Sequence, residues 1–221
     1  MKSFGNRISF VAFAFCLNQL AFAGDTLFIA ARFNNQIFKC AESSAVDSIP
    51  LISKASLYIS NLEFLSKGNI IQRNSEPRLI YLCDGKQQLA LIPKGADAFT
   101  FTLGIDSSIQ VKGALSGALD PVHGFYWTWQ SGYIHAKIEA ELQNVEGKKK
   151  EIIWHIGGYQ SPYNSIRQAT RKIQQGNANL MLNLDTLLNS EFVAQSPNVM
   201  SPGKAACKIS TFIVEQFTIE P

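Results

Sequence analysis

Residues 125–157 decide the fold. They read FYWTWQSGYIHAKIEAEL over 125–142, QNVEGKKK over 143–150 and EIIWHIG over 151–157. Two runs rich in aromatic and branched side chains flank a polar stretch, Asn144–Lys150, with a glycine inside it. That is the pattern of two long strands joined in a hairpin. The three consecutive lysines belong to the solvated turn.

Working outward, similar runs recur between turn residues: Thr26–Phe38, Ser56–Leu65, Arg78–Cys83, Gln88–Pro93, Ala98–Ile105, Ile109–Ala114, Ser165–Ile173, Asn179–Leu184 and Thr211–Ile219. Phe99-Thr-Phe-Thr-Leu103 alternates with the period of a half-buried strand. Helix signals are few. Asp185 can cap one turn over Asp185–Asn189. Ser201 and Pro202 can open a short helix across Gly203–Ser210. Many short strands with regular turns predict an all-β chain, an antiparallel β-sandwich with short helical turns near its C-terminus. Residues 24–221 hold no repeat and no linker that would split them.

Composition limits the function. Only 17% of the 221 residues are charged and 46% are hydrophobic, which excludes a disordered charged chain. The net charge of +3 is too small for a nucleic-acid-binding surface. Residues 1–23 read as an export signal. Lys2 and Arg7 precede an apolar run from Ile8 to Leu20, and Ala21-Phe-Ala23 forms a cleavage site. The run is shorter than a membrane span. Its removal takes two positive charges and no acid, lowering +3 to +1 for a single domain over 24–221. Three cysteines then remain, Cys40, Cys83 and Cys207. In an oxidising compartment an odd set leaves at least one thiol over. Spacing is equally compatible with a Cys40–Cys83 pair and with three free thiols.

Chemistry concentrates in one place. Trp127, Trp129, His123 and His135 lie within residues 120–137, and Trp154-His155 follows on the return strand, so every Trp and His is in or beside this hairpin. If 125–142 is one strand, Phe125, Trp127, Trp129, Tyr133 and His135 share a face. His123 and His135 would then lie about 40 Å apart in a straight chain. His155 is the one His able to approach either end. Packing aromatics and ordinary hydrogen-bonding histidines would give the same pattern. No HExxH, CxxC pair, GxSxG, P-loop or GxGxxG occurs, and no nucleophile–base pair is legible, so the reading is not an enzyme.

The stretches FTLGID (101–106), GALSGALDP (113–121) and GFYWTWQSGYI (124–134), with WHIGGY (154–159), LYISNL (57–62), VMSP (199–202) and the tail 205–217, resemble the MbnP family of methanobactin-associated periplasmic proteins. The resemblance spans nearly all of 24–221, and Trp-x-Trp-x-x-Gly-Tyr is its most specific element. It implies a periplasmic β domain that binds copper through His side chains and a Trp oxidised to kynurenine, the oxidation being ascribed to a di-haem cytochrome c peroxidase-like partner. On this chain it implies Trp127 or Trp129 as the oxidised residue and His155 as a ligand. Imidazole and an aromatic amine form a soft nitrogen site suited to copper. The family often carries a His in the first strand, where this chain has Ala31-Arg-Phe-Asn-Asn35. Either His123 or His135 replaces that ligand, or the fold is kept as a metal-free binding module. Asp106 and Asp120 frame the glycine-rich loop as a second, Ca²⁺-type site or as loop-shaping side chains.

Overall fold

The computed structural model describes residues 24–40, 51–127, 131–143 and 147–221. The export signal read over 1–23 and Trp129 lie outside the described residues. The strands are β1 (Thr26–Phe33), β2 (Gln36–Ile37), β3 (Leu51–Ser66), β4 (Asn69–Asn74), β5 (Arg78–Tyr81), β6 (Gln87–Leu91) and β7 (Ala98–Leu103). After helix α1 (Ser107–Gln110) and 3₁₀ turns at Gly117–Leu119 and Pro121–His123 come β8 (Tyr126–Trp127), β9 (Gly132–Gln143), β10 (Lys149–Gly157), β11 (Arg167–Lys172) and β12 (Ala178–Asn183). Helices α2 (Leu184–Leu188) and α3 (Glu191–Gln195), β13 (Asn198–Val199), α4 (Lys204–Glu215) and β14 (Phe217–Glu220) complete the chain.

The fold is all-β with short helices, as the alternation predicts. The larger sheet runs β11-β7-β3-β9-β10-β13, with β4 and β5 also on β3 and β8 on β9. The smaller runs β14-β12-β1, with β2 and β6 on the other side of β1. One refinement concerns direction. β1–β12 and β10–β13 are parallel, so the sheets are mixed rather than purely antiparallel. A parallel pair needs a long crossover, and every strand of the larger sheet except β13 lies between β1 and β12 in sequence.

Alternation builds the main core. Leu27, Ile29 and Ala31 of β1 and Leu180 and Leu182 of β12 pack with Leu57, Ile59, Phe99, Phe101, Ile138 and Trp154 of the larger sheet. Trp154 is fully buried, and its indole N–H donates to the Ser196 carbonyl at 2.8 Å. Tyr58 lies between Leu57 and Ile59 and points the other way. It joins Ile105, Leu119, Phe125, Tyr133 and Ile134 in a second apolar cluster. Part of the larger sheet is therefore buried on both faces, its back covered by the excursion from Ile105 to Trp127.

Five predictions differ. Ile109–Ala114 is not a strand: Asp106 accepts from the Ser108 N–H at 2.9 Å and starts α1. Thr211–Ile219 is mostly helix, because Ala206, Ile209 and Ile213 repeat at helical spacing and bury one face of α4. That helix is preceded by Gly203 rather than capped by Ser201. Asn183, not Asp185, caps α2, while Asp185 accepts from the Asn34 N–H at 3.0 Å. Residues 125–142 are not one strand either. β8 folds back on β9, pairing Tyr126 with Tyr133 and Trp127 with Gly132. Gly132, at φ +73°, provides the left-handed backbone where β9 begins.

Cys40 and Cys83 form a disulfide, and Cys207 is the thiol left over. Its Sγ donates to the Asn164 carbonyl at 3.3 Å.

Candidate functional site

Strand β10 divides its side chains between two environments. Ile152, Trp154 and Ile156 enter the main core; Ile153, His155 and Gly157 face the back of the larger sheet. His155 pairs with Lys137, and Glu139 pairs with both Ile153 and Lys54. These registers gather two cations, one acid and one imidazole on the same face.

The Glu139 carboxylate oxygen Oε1 lies 2.8 Å from His155 Nε2 and 3.1 Å from Lys54 Nζ. Lys137 is directed elsewhere: its Nζ donates to the Gly124 carbonyl at 2.5 Å and sits 4.9 Å from the centre of the Phe125 ring. Burial lowers the His155 pKa below the usual imidazole value. The Lys137 and Lys54 ammoniums push the same way, against the hydrogen bond to Glu139. Burial alone would raise the Glu139 pKa, but its bonds to His155 and Lys54 outweigh that and hold it below the usual carboxylate range. The pair is therefore carboxylate and neutral imidazole. A carboxylate only accepts, so the imidazole proton is on Nε2 and Nδ1 carries a lone pair. A ring whose far nitrogen is bonded to a carboxylate is the usual orientation of a metal-ligating histidine.

Trp127 lies over Gly157, two residues along the strand from His155. A Cβ added at Gly157 would be 2.6 Å from Cζ3 of the Trp127 ring and 2.7 Å from the Tyr133 carbonyl oxygen, so the bare glycine backbone is the ring's seat. His155 and Gly157 are alternate residues on one face, about 6–7 Å apart along the strand. Trp127 is half-buried at the rim of the second cluster.

The other two histidines are elsewhere. His123 is exposed on a 3₁₀ turn, with Nδ1 3.3 Å from the Tyr81 hydroxyl and Nε2 3.1 Å from the Gly117 carbonyl. His135 is fully buried, with Nε2 2.9 Å from Gln110 Nε2 and Nδ1 3.1 Å from Ser165 Oγ. Burial lowers its pKa to about 3. Ser165 is equally enclosed, so this Ser–His contact is sealed from solvent. Ala31 is buried in the main core. Asp106 and Asp120 both act as caps, Asp120 accepting from the Val122 N–H at 2.9 Å, which is the loop-shaping reading. Among the described residues, no three His, Cys, Asp or Glu side chains cluster as metal ligands.

Sequence reasoning missed Glu139, Gln110 and Ser165. Glu139 was within reach, because the register of the 125–157 hairpin places it two pairs from His155 on the same face. Gln110 was hidden by the strand assigned to Ile109–Ala114, although Asp106-Ser-Ser is a helix-start signal.

Comparison with known proteins agrees with the motif reading. No curated protein matches the chain. Among solved structures, MbnP from Methylosinus trichosporium is similar at 14% identity, over 76% of this chain and 77% of that one, with a TM-score of 0.48. The family model of MbnP matches residues 24–201, and the chain belongs to the MbnP family.

Proposed function

We propose that this is an exported copper-binding protein acting in storage, delivery or sensing rather than catalysis. Family membership and the Cys40–Cys83 disulfide point to an extracellular or periplasmic protein. No helix among the described residues is long and apolar enough to cross a membrane. The observation that carries the metal reading is His155. Its Nε2 is held by Glu139, its Nδ1 carries a lone pair, and the Trp127 ring lies two residues along on the same face.

The donor chemistry fits a soft monovalent ion. His155 supplies one neutral nitrogen, and Trp127 or Trp129 supplies an aromatic amine if its indole is oxidised to kynurenine. The Lys54 and Lys137 ammoniums disfavour a second positive charge here. Few nitrogen ligands and low charge suit Cu(I). Expression with and without an oxidising di-haem partner, followed by copper analysis and mass measurement of the Trp127–Trp129 peptide, tests the reading. Stoichiometric copper, lost in His155→Ala, is the expected result. No stoichiometric copper in either preparation would sink it.

A second reading rests on the burial of Ala31 and the dispersal of His123 and His135: the fold persists as a metal-free binding module. Under it, a His123→Ala, His155→Ala double variant matches the parent in metal content.

A further inference from the structure

The buried polar side chains around His135 are not used by the site proposed above, yet they converge on it. Gln110 is 2% exposed and spends its amide completely. Its Oε1 accepts from the Tyr133 backbone N–H at 2.9 Å. Its Nε2 donates to the Ile105 carbonyl at 2.8 Å and to His135 Nε2 at 2.9 Å. The amide orientation is forced, since turning it would set two oxygens against each other at Ile105. His135 therefore accepts at Nε2 and carries its proton on Nδ1, which donates to Ser165 Oγ. Ser165 Oγ in turn donates to the Gly158 carbonyl at 3.2 Å, and the Ser165 backbone N–H bonds the same carbonyl at 2.9 Å.

Both ends of this relay touch the seat of Trp127. At one end is Tyr133. Its N–H is held by Gln110, its carbonyl lies against Gly157, and its neighbour Gly132 pairs with Trp127. At the other end is Gly158, directly after the glycine that carries the ring. Gly132 itself is boxed in by the Gln110 amide oxygen and the Tyr159 ring, so β9 begins at a point fixed from α1.

We propose that Gln110, acting through Tyr133 and through His135 and Ser165, is the positioning residue that holds the Trp127 ring over Gly157, two residues along the strand from His155. This rests on the copper reading for its purpose, but the geometry it asserts is testable without metal. The relay is neutral throughout, every donor meets an acceptor, and its members come from three separate segments. It couples α1, the start of β9 and the loop after β10, the three pieces that together set the seat of the ring.

The test uses the indole N–H NMR signals of the metal-free protein, with the Trp127 signal assigned from Trp127→Phe. In Gln110→Ala the Trp127 signal should shift or broaden while that of Trp154, in the main core, stays in place. Gln110→Glu keeps the acceptor for Tyr133 but loses both donors; it should do the same and serves if the alanine variant does not fold. His135→Gln can keep one donor and one acceptor and should restore the parental Trp127 signal, whereas His135→Leu should not. Cu(I) affinity should fall about 10–100-fold in Gln110→Ala and stay near parental in His135→Gln. An unchanged Trp127 signal in a folded Gln110 variant overturns the proposal. Loss of copper in His135→Gln as complete as in His135→Leu overturns it too, since His135 would then be a ligand. If the parent binds no copper, the copper reading fails while the NMR result still decides the role of Gln110.

Discussion

His135 and His155 lie on adjacent strands, and burial makes both neutral, yet they have opposite chemical standing. His135 uses both ring nitrogens, on Gln110 and Ser165, inside a sealed space. His155 uses one, on Glu139, at a face that keeps some solvent access. A low pKa therefore does not mark the available histidine. The number of nitrogens already spent does.

The largest effect expected from that contrast is on stability. His135→Leu leaves one Gln110 amide N–H without an acceptor and the Ser165 hydroxyl oxygen without its donor where no water reaches, and should cost about 2–4 kcal/mol in urea unfolding. His155→Ala removes a partly buried contact but leaves Glu139 paired with Lys54, and should cost less, about 1 kcal/mol. Equal costs would break the comparison.

Next comes pH. The folded pKa of His135, about 3, lies below the unfolded value near 6.5. Below that unfolded value the denatured chain takes up a proton that the folded chain refuses. Stability should be fully present above pH ~6.5 and fall steadily towards pH ~3. The lowered pKa of His155 acts in the same direction. Lowered carboxylates such as Asp106 and Glu139 add their own loss only as pH falls through the acid range. Around His135 the charged neighbour is Arg167, whose repulsion adds to the burial. Thermal melts across this range, compared between the parent and His135→Gln, should show a shallower decline in the variant between pH 6 and about 4.5.

The smallest structural change is Glu139→Gln. It leaves the fold intact, with unfolding midpoints within about 1 kcal/mol, but frees the His155 ring to change tautomer. Copper affinity should drop about 10–100-fold, read by competition with a Cu(I) chelator. No drop would mean that the carboxylate does not orient the ligand.

Much of this was readable in the chain itself. The long hairpin, the strand alternation and the Trp/His concentration all follow from residue order. The pairing of β8 back onto β9 was not, because aromatic strand formers continue through 125–134 in the sequence and Gly132 reads as a bulge as easily as a strand start. The helical nature of α4 was masked in the same way. Thr211, Phe212, Ile213 and Val214 favour strands locally, and only their burial against the sheets decides for the 3.6 period. The relay around His135 depends on contacts between segments 23 to 30 residues apart, which no local pattern encodes.

The parallel pairing of β1 with β12 has a kinetic consequence. The Thr26 N–H bonds the Asn177 side chain across 151 residues of sequence, and every β1–β12 rung spans a similar distance. Such non-local pairing makes folding slow. A chain emerging N-terminus first exposes β1 long before β12 exists to meet it, so the smaller sheet can close only when nearly the whole polypeptide has been delivered.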